Sequence, residues 1–140
     1  MHGLLPSSDV LYASYEDHLV FVFDIPRDCA ANLVHTYGTL SLRVAEHGLA
    51  HSTPKQTLNQ RLHPDYPYLR SELAYAISQE MCEKPNDVLC RRVPIAFLNK
   101  SLALQLLPEV VEMMAKEKKW SSSQKKQELE EARRMLEFMK

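Results

Sequence analysis

The sequence predicts an all-α fold, a helical bundle of about five or six helices behind an irregular N-terminal segment. Three observations carry this expectation. The last third of the 140 residues is rich in Leu, Met, Glu, Lys and Gln, which lose little in a helix. Apolar residues recur at three- and four-residue spacing in several segments, the mark of a helix with one buried face. All three glycines and most of the prolines lie in the stretch ending at Pro67, so regular structure is expected to increase toward the C-terminus.

Residues 1–24 read as the irregular segment, and residues 25–140 as the helical domain. Within the first, 18–23 is the one β-like run, either a short buried strand or an extended segment docked on a neighbour. A lone strand makes no stable sheet. Asp24 is placed to cap a helix of about 25–37, with Ala30, Leu33, Val34 and Tyr37 on one face and Gly38 as its stop. Thr39 restarts a short helix carrying Leu42 and Ala45, which Gly48 ends. Residues 51–63, with Ser52, Thr53, Pro54 and Asn59, are loop chemistry.

Pro67 fits the first turn of a helix whose stripe of Leu69, Leu73, Ala76, Ile77 and Glu80 runs to about Met81. Pro85 opens a short helix through Arg92, with Asn86 and Asp87 favouring its first turn and Pro94 forbidding continuation. Residues 95–98 are a buried connector or the start of the next helix, whose broad face holds Ala103, Leu106, Leu107, Val110, Val111 and Met114. Pro108 removes a backbone donor there, and so kinks that helix or marks its true start. Ser121 with Gln124 forms a capping pair for a last helix, with Leu129, Ala132, Leu136 and Met139 on one face.

Composition narrows the function classes. Seventeen Lys+Arg against 18 Asp+Glu leave a net charge of -1, with no global pull toward nucleic acid. Three glycines cannot supply a G-x-G-x-x-G turn or a Walker loop, so no flavin, nicotinamide or nucleotide cradle can be written in these residues. Cys29, Cys82 and Cys90 are an odd set without C-x-x-C spacing, which fits a reducing compartment. The longest apolar run, 19–23, is far below the roughly 18 residues that cross a bilayer. The start, Met1 to Pro6, resembles neither a secretory signal nor a transit peptide, so any organelle address is expected upstream.

His47 and His51 have the i, i+4 spacing of a metal pair, but Gly48 lies between them and no acidic third ligand is in register. Cys29 and His35 share no convincing face for a nucleophile and its base. No catalytic, cofactor-binding or metal-binding residue is therefore assigned. Arg91 and Arg92 can bind carboxylate or phosphate, or can pair with Glu80, Glu83 or Asp87. The last 25 residues hold eight basic and five acidic residues, which fits a solvated, pair-laced helix face better than a site for an anionic membrane surface or an acidic partner. Trp120, after Lys118 and Lys119, reads as the anchor of a turn between helices.

Leu33 to Gly38, Pro67-Tyr68-Leu69, Glu72 to Ile77, Asp87-Val88-Leu89, Arg91-Arg92, Ile95 to Asn99, Leu107 to Met114, Trp120 and Glu128 to Arg133 follow one another in an order and spacing of their own. In these stretches the chain resembles the C-terminal domain of FAD-dependent (mitochondrial or respiratory) glycerol-3-phosphate dehydrogenase. It covers about residues 28–138. Such enzymes oxidise glycerol 3-phosphate to dihydroxyacetone phosphate on FAD and pass electrons to quinone, with the flavin and substrate residues in a larger preceding domain. The resemblance thus implies FAD in a parent protein and none in this segment. It implies a structural module that packs on the FAD-binding domain, assists assembly or homo-oligomer formation, and belongs to the mitochondrial inner membrane through its parent. It makes Arg91 and Arg92 an interdomain or anion contact, and Tyr75, Asp87 and Trp120 structural residues. Val93-Pro94 depart from the hydroxyl and basic residues that usually follow the arginine pair. The alternative is a stand-alone, cytoplasmic helical module derived from that domain, which binds a protein partner.

Overall fold

The computed structural model describes residues 8–139, with the side chains at 8–12, 91 and 92 outside the description. Its fold class is all-α, with one small two-stranded ribbon. The chain divides into two compact units, Met1–Ser71 and Glu72–Lys140.

The first described element is α1 (Ser8–Phe23), which corrects the irregular reading over 8–23 and the candidate strand at 18–23; the part of that reading at 1–7 lies outside the described residues. Local β-propensity in Val20, Phe21, Val22 and Phe23 is overridden by tertiary packing, and no strand among the described residues pairs with this run. Instead Tyr15, Leu19 and Phe23 recur every four residues, and Leu19 is fully buried where α1 meets α2 (Arg27–Tyr37) and α3 (Ser41–Ala50). Asp24 does not cap α2. It takes the left-handed conformation after α1 (φ 57°), and Pro26 stands at the N-cap position of α2 without a side-chain cap. The expected face of α2 is buried at Ala30, Leu33 and Val34, and Gly38 ends it at φ 58°. A 3₁₀ turn (Gly38–Leu40) then leads into α3.

Gly48 does not end α3; it lies within it and is buried. Its missing side chain lets the following loop close on the helix. Ser52 Oγ donates to the Gly48 carbonyl at 2.6 Å and accepts the Leu58 N–H at 2.9 Å, while Asn59 Nδ2 donates to the Ala45 carbonyl at 3.0 Å. The loop leads into an antiparallel ribbon, β1 (Arg61–His63) and β2 (Tyr66–Leu69), paired Arg61 with Leu69 and His63 with Tyr66. Pro67 therefore sits in β2 rather than in a helix, and α4 (Arg70–Gln79) starts three residues later than expected.

In the second unit the stripe of α4 is buried at Leu73, Ala76 and Ile77. A one-turn α5 (Pro85–Asp87) continues as a π turn (Val88–Arg92) and stops before Pro94, so the short helix has the expected extent but a wider pitch. After α6 (Ile95–Leu98), Asn99 Oδ1 accepts the Leu102 N–H at 3.0 Å and starts α7 (Lys100–Lys118). Pro108 thus lies inside α7 and is not its start, leaving the Leu104 carbonyl without that donor. All six apolar residues expected on the α7 face are buried.

Lys119, left-handed at φ 56°, closes α7, and the Trp120 N–H reaches back to the Ala115 carbonyl at 3.0 Å. This is a Schellman-type stop with lysine where glycine is usual. Ser121 Oγ then accepts the Gln124 N–H at 3.1 Å and caps α8 (Ser122–Phe138), as its sequence indicates. Ala132 and Leu136 of the expected stripe are buried; Glu128 completes the buried face of α8, and Leu129 is only half-buried. At the far end Lys100 Nζ donates to the carbonyls of Glu137 and Met139, both at 2.7 Å, placing a cation at the negative helix terminus.

Candidate functional site

The residues singled out from the sequence fall in three places. Arg91 and Arg92 contribute backbone to the π turn, which the Val93 N–H closes on the Val88 carbonyl at 2.9 Å. Their side chains lie outside those described. π turns are rare and concentrate at functional sites, because the wider turn re-aims neighbouring side chains. Asp87 belongs to the same corner: its Oδ2 accepts the Lys84 N–H at 3.2 Å and ties off the start of α5. Tyr75 is buried in α4, and Trp120 is half-buried in the α7–α8 turn.

His47 and His51 stack, with ring centroids 4.1 Å apart, and His51 Nδ1 lies 2.9 Å from the His47 carbonyl oxygen. The rings face each other rather than converge on an ion, and no three His, Cys, Asp or Glu side chains cluster among the described residues. Cys29 is buried and His35 exposed, so they form no dyad. The three cysteines make no disulfide.

Two charged contacts were not legible from spacing. In the first unit Arg61 forks onto Asp28, with Nη1 to Oδ2 at 2.7 Å and Nη2 to Oδ1, and also donates to the Tyr66 carbonyl at 3.2 Å. The Arg61 hydrogen bond holds the Asp28 carboxyl below the usual aspartate range. A depressed folded-state pKa contributes stability that is present above about pH 4, the ordinary aspartate value, and is lost as pH falls through the lower folded value. Asp28→Asn is expected to lower the urea midpoint at pH 7 and to flatten its fall between pH 7 and pH 3. Equal midpoints for the two proteins at pH 7 would show that the pair contributes nothing.

In the second unit Lys84 Nζ lies 3.0 and 3.4 Å from the two carboxylate oxygens of Glu128, 44 residues away. Glu128 has only 11% of its side chain exposed. The same contact, with the fields of Glu131 and Glu83, holds the Lys84 pKa above the ordinary lysine value. Beside it Asn86 Nδ2 donates to the Ala132 carbonyl at 3.3 Å. The start of α5 is thus sewn to α8. The sequence signal for this was a glutamate four residues before Ala132 and eight before Leu136, on the stripe itself.

A family model described as the C-terminal domain of alpha-glycerophosphate oxidase matches residues 5–125. The chain belongs to this family. It is 38% identical over 123 residues to a probable mitochondrial glycerol-3-phosphate dehydrogenase of Caenorhabditis elegans, a match covering 86% of this chain and 17% of that one. With a mitochondrial glycerol-3-phosphate dehydrogenase of Arabidopsis thaliana the identity is 40% over 111 residues, 79% of this chain and 17% of the other. The Bos taurus enzyme of the same name is 35% identical over 122 residues, 86% and 16%. The chain therefore spans about a sixth of the length of these relatives. No solved structure matches it.

A glycine-rich dinucleotide cradle is not found among the described residues. A dinucleotide cradle places a glycine-rich turn between a parallel strand and a helix N-terminus. Here the strands are two short antiparallel segments, Gly38 ends a helix and Gly48 is packed inside one. No helix among the described residues is long and apolar enough to cross a membrane.

Proposed function

We propose that this chain serves as the C-terminal helical domain of a mitochondrial, FAD-dependent glycerol-3-phosphate dehydrogenase. The rest of that enzyme binds the flavin, oxidises glycerol 3-phosphate to dihydroxyacetone phosphate and delivers electrons to quinone at the inner membrane. In this reading the 140 residues contribute packing and assembly, not chemistry. The family match over residues 5–125, with the chain spanning about a sixth of its mitochondrial relatives, carries the proposal. The Arg91-Arg92 pair, on its π turn, contacts the FAD-binding domain or an anion held against it; Tyr75, Asp87 and Trp120 keep the corner and the α7–α8 turn in shape.

An immunoblot of the native source, fractionated into cytosol and mitochondria and probed with an antibody to residues 66–140, tests this. The expected band lies in mitochondria at several times 16.1 kDa. A band at 16.1 kDa in the cytosol would overturn it and leave an independent helical module.

A further inference from the structure

Between the Lys84–Asp87 corner and α8 lies a cleft of about 260 Å³. Pro85, Ala132 and Met135 give it an apolar floor, with Lys84, Asp87, Glu128 and Glu131 around it. Among the described lining residues, three carboxylates thus stand with one ammonium. That ammonium is already engaged by Glu128, and among the described residues the Asp87 carboxylate accepts the Lys84 backbone N–H alone. Glu131 is exposed and makes no ion pair among the described residues. The cleft therefore keeps an excess of negative charge over an apolar surface, which repels anions and favours a cation on an aliphatic stem.

Its size limits the ligand further. The volume falls below the roughly 300–1,000 Å³ of sites for drug-sized molecules, and suits one long side chain. An arginine or lysine stem lying along Pro85 and Ala132, under the adaptable Met135, brings its charged head to Glu131 and Asp87. The second wall is α8, nearly all of which lies beyond residue 125, where the match to the shared domain ends.

We infer that this cleft docks an arginine or lysine side chain presented, next to an apolar residue, by a segment of a protein partner. The site stands on charge and shape in the second unit alone, and does not depend on the enzyme reading above.

The test is a titration of the ¹⁵N-labelled 140-residue chain with the blocked tripeptide acetyl-Leu-Arg-Leu-amide at low ionic strength. The expected result is saturating amide shifts confined to residues 84–87 and 128–135 at millimolar peptide. The same peptide with citrulline for arginine is expected to bind at least about tenfold more weakly, since it keeps the shape and loses the charge. Glu131→Gln, at an exposed position that the fold does not use, is expected to weaken binding by about two- to fivefold, and salt to do the same. Absent shifts, equal shifts with the citrulline peptide, or shifts elsewhere in the chain overturn the proposal. So does movement of these amides with protein concentration alone, which would mark a second copy as the occupant.

Discussion

Leu136→Ala is expected to destabilise the second unit by about 2–5 kcal/mol, the cost of removing a fully buried leucine and leaving its cavity. Leu136 is 0% exposed, and the other buried positions of α8 are Ala132 and Glu128, so it is the one large apolar anchor of that helix. The Ser121 cap and a run of good helix formers do not hold α8 by themselves, because an isolated helix of this length is marginal in water. Loss of the anchor also frees the carbonyls of Glu137 and Met139 from Lys100. Trp120 is the only tryptophan and lies in the turn that enters α8, so its fluorescence in a urea titration reports this unit. Leu129→Ala, at a half-buried position on the same helix, is expected to cost well under half as much. Equal effects at 129 and 136 would show that α8 packs in the register its leucine spacing suggests and not in the one described.

That contrast marks what the sequence could show. The α2 stripe with its Gly38 stop, the α7 face and the Ser121 cap of α8 are legible from local rules, because there the apolar spacing or the punctuation agrees with the packing. The misreadings arose where a local preference met a tertiary demand. The β-branched and aromatic run in α1 has strand propensity, yet Leu19 must face α2 and α3, and only the helix does that. Apolar spacing includes Leu129 in the α8 stripe and passes over Glu128, whereas Lys84, remote in sequence, makes Glu128 tolerable there. The β1–β2 ribbon is too short for a periodicity signal. Of the candidate corner, the extent of the 85–92 segment is legible. The π pitch is not, since nothing in residue type announces a skipped hydrogen bond. The cleft beside it was also hidden, because it joins residues more than forty positions apart.

Gly48 separates the two levels by sign. In a helix interior, glycine to alanine ordinarily stabilises by about 1 kcal/mol, through lower backbone entropy in the unfolded chain. On that ground Gly48→Ala should strengthen α3. The packing around residue 48 argues the opposite: an alanine Cβ would stand 2.5 Å from Ser71 Cβ and closer still to Asn59 Oδ1. Ser71 Cβ moves only with its backbone, which donates to the Leu58 carbonyl at 2.8 Å, and Asn59 is held by its bond to the Ala45 carbonyl. Making room means breaking the loop's attachment to α3 or bending the helix, and overpacking of this kind costs about 1–3 kcal/mol beyond the propensity gain. Gly48→Ala is therefore expected to destabilise the first unit, and Gly48→Val, with two more carbons in the same space, to cost more. Far-UV circular dichroism in urea gives the size, and exchange at the Leu58 and Ser71 amides gives the place, because both should lose protection before the rest of the unit. An alanine variant as stable as the parent would mean that the loop yields without cost, and that the glycine is there for some reason other than its missing side chain.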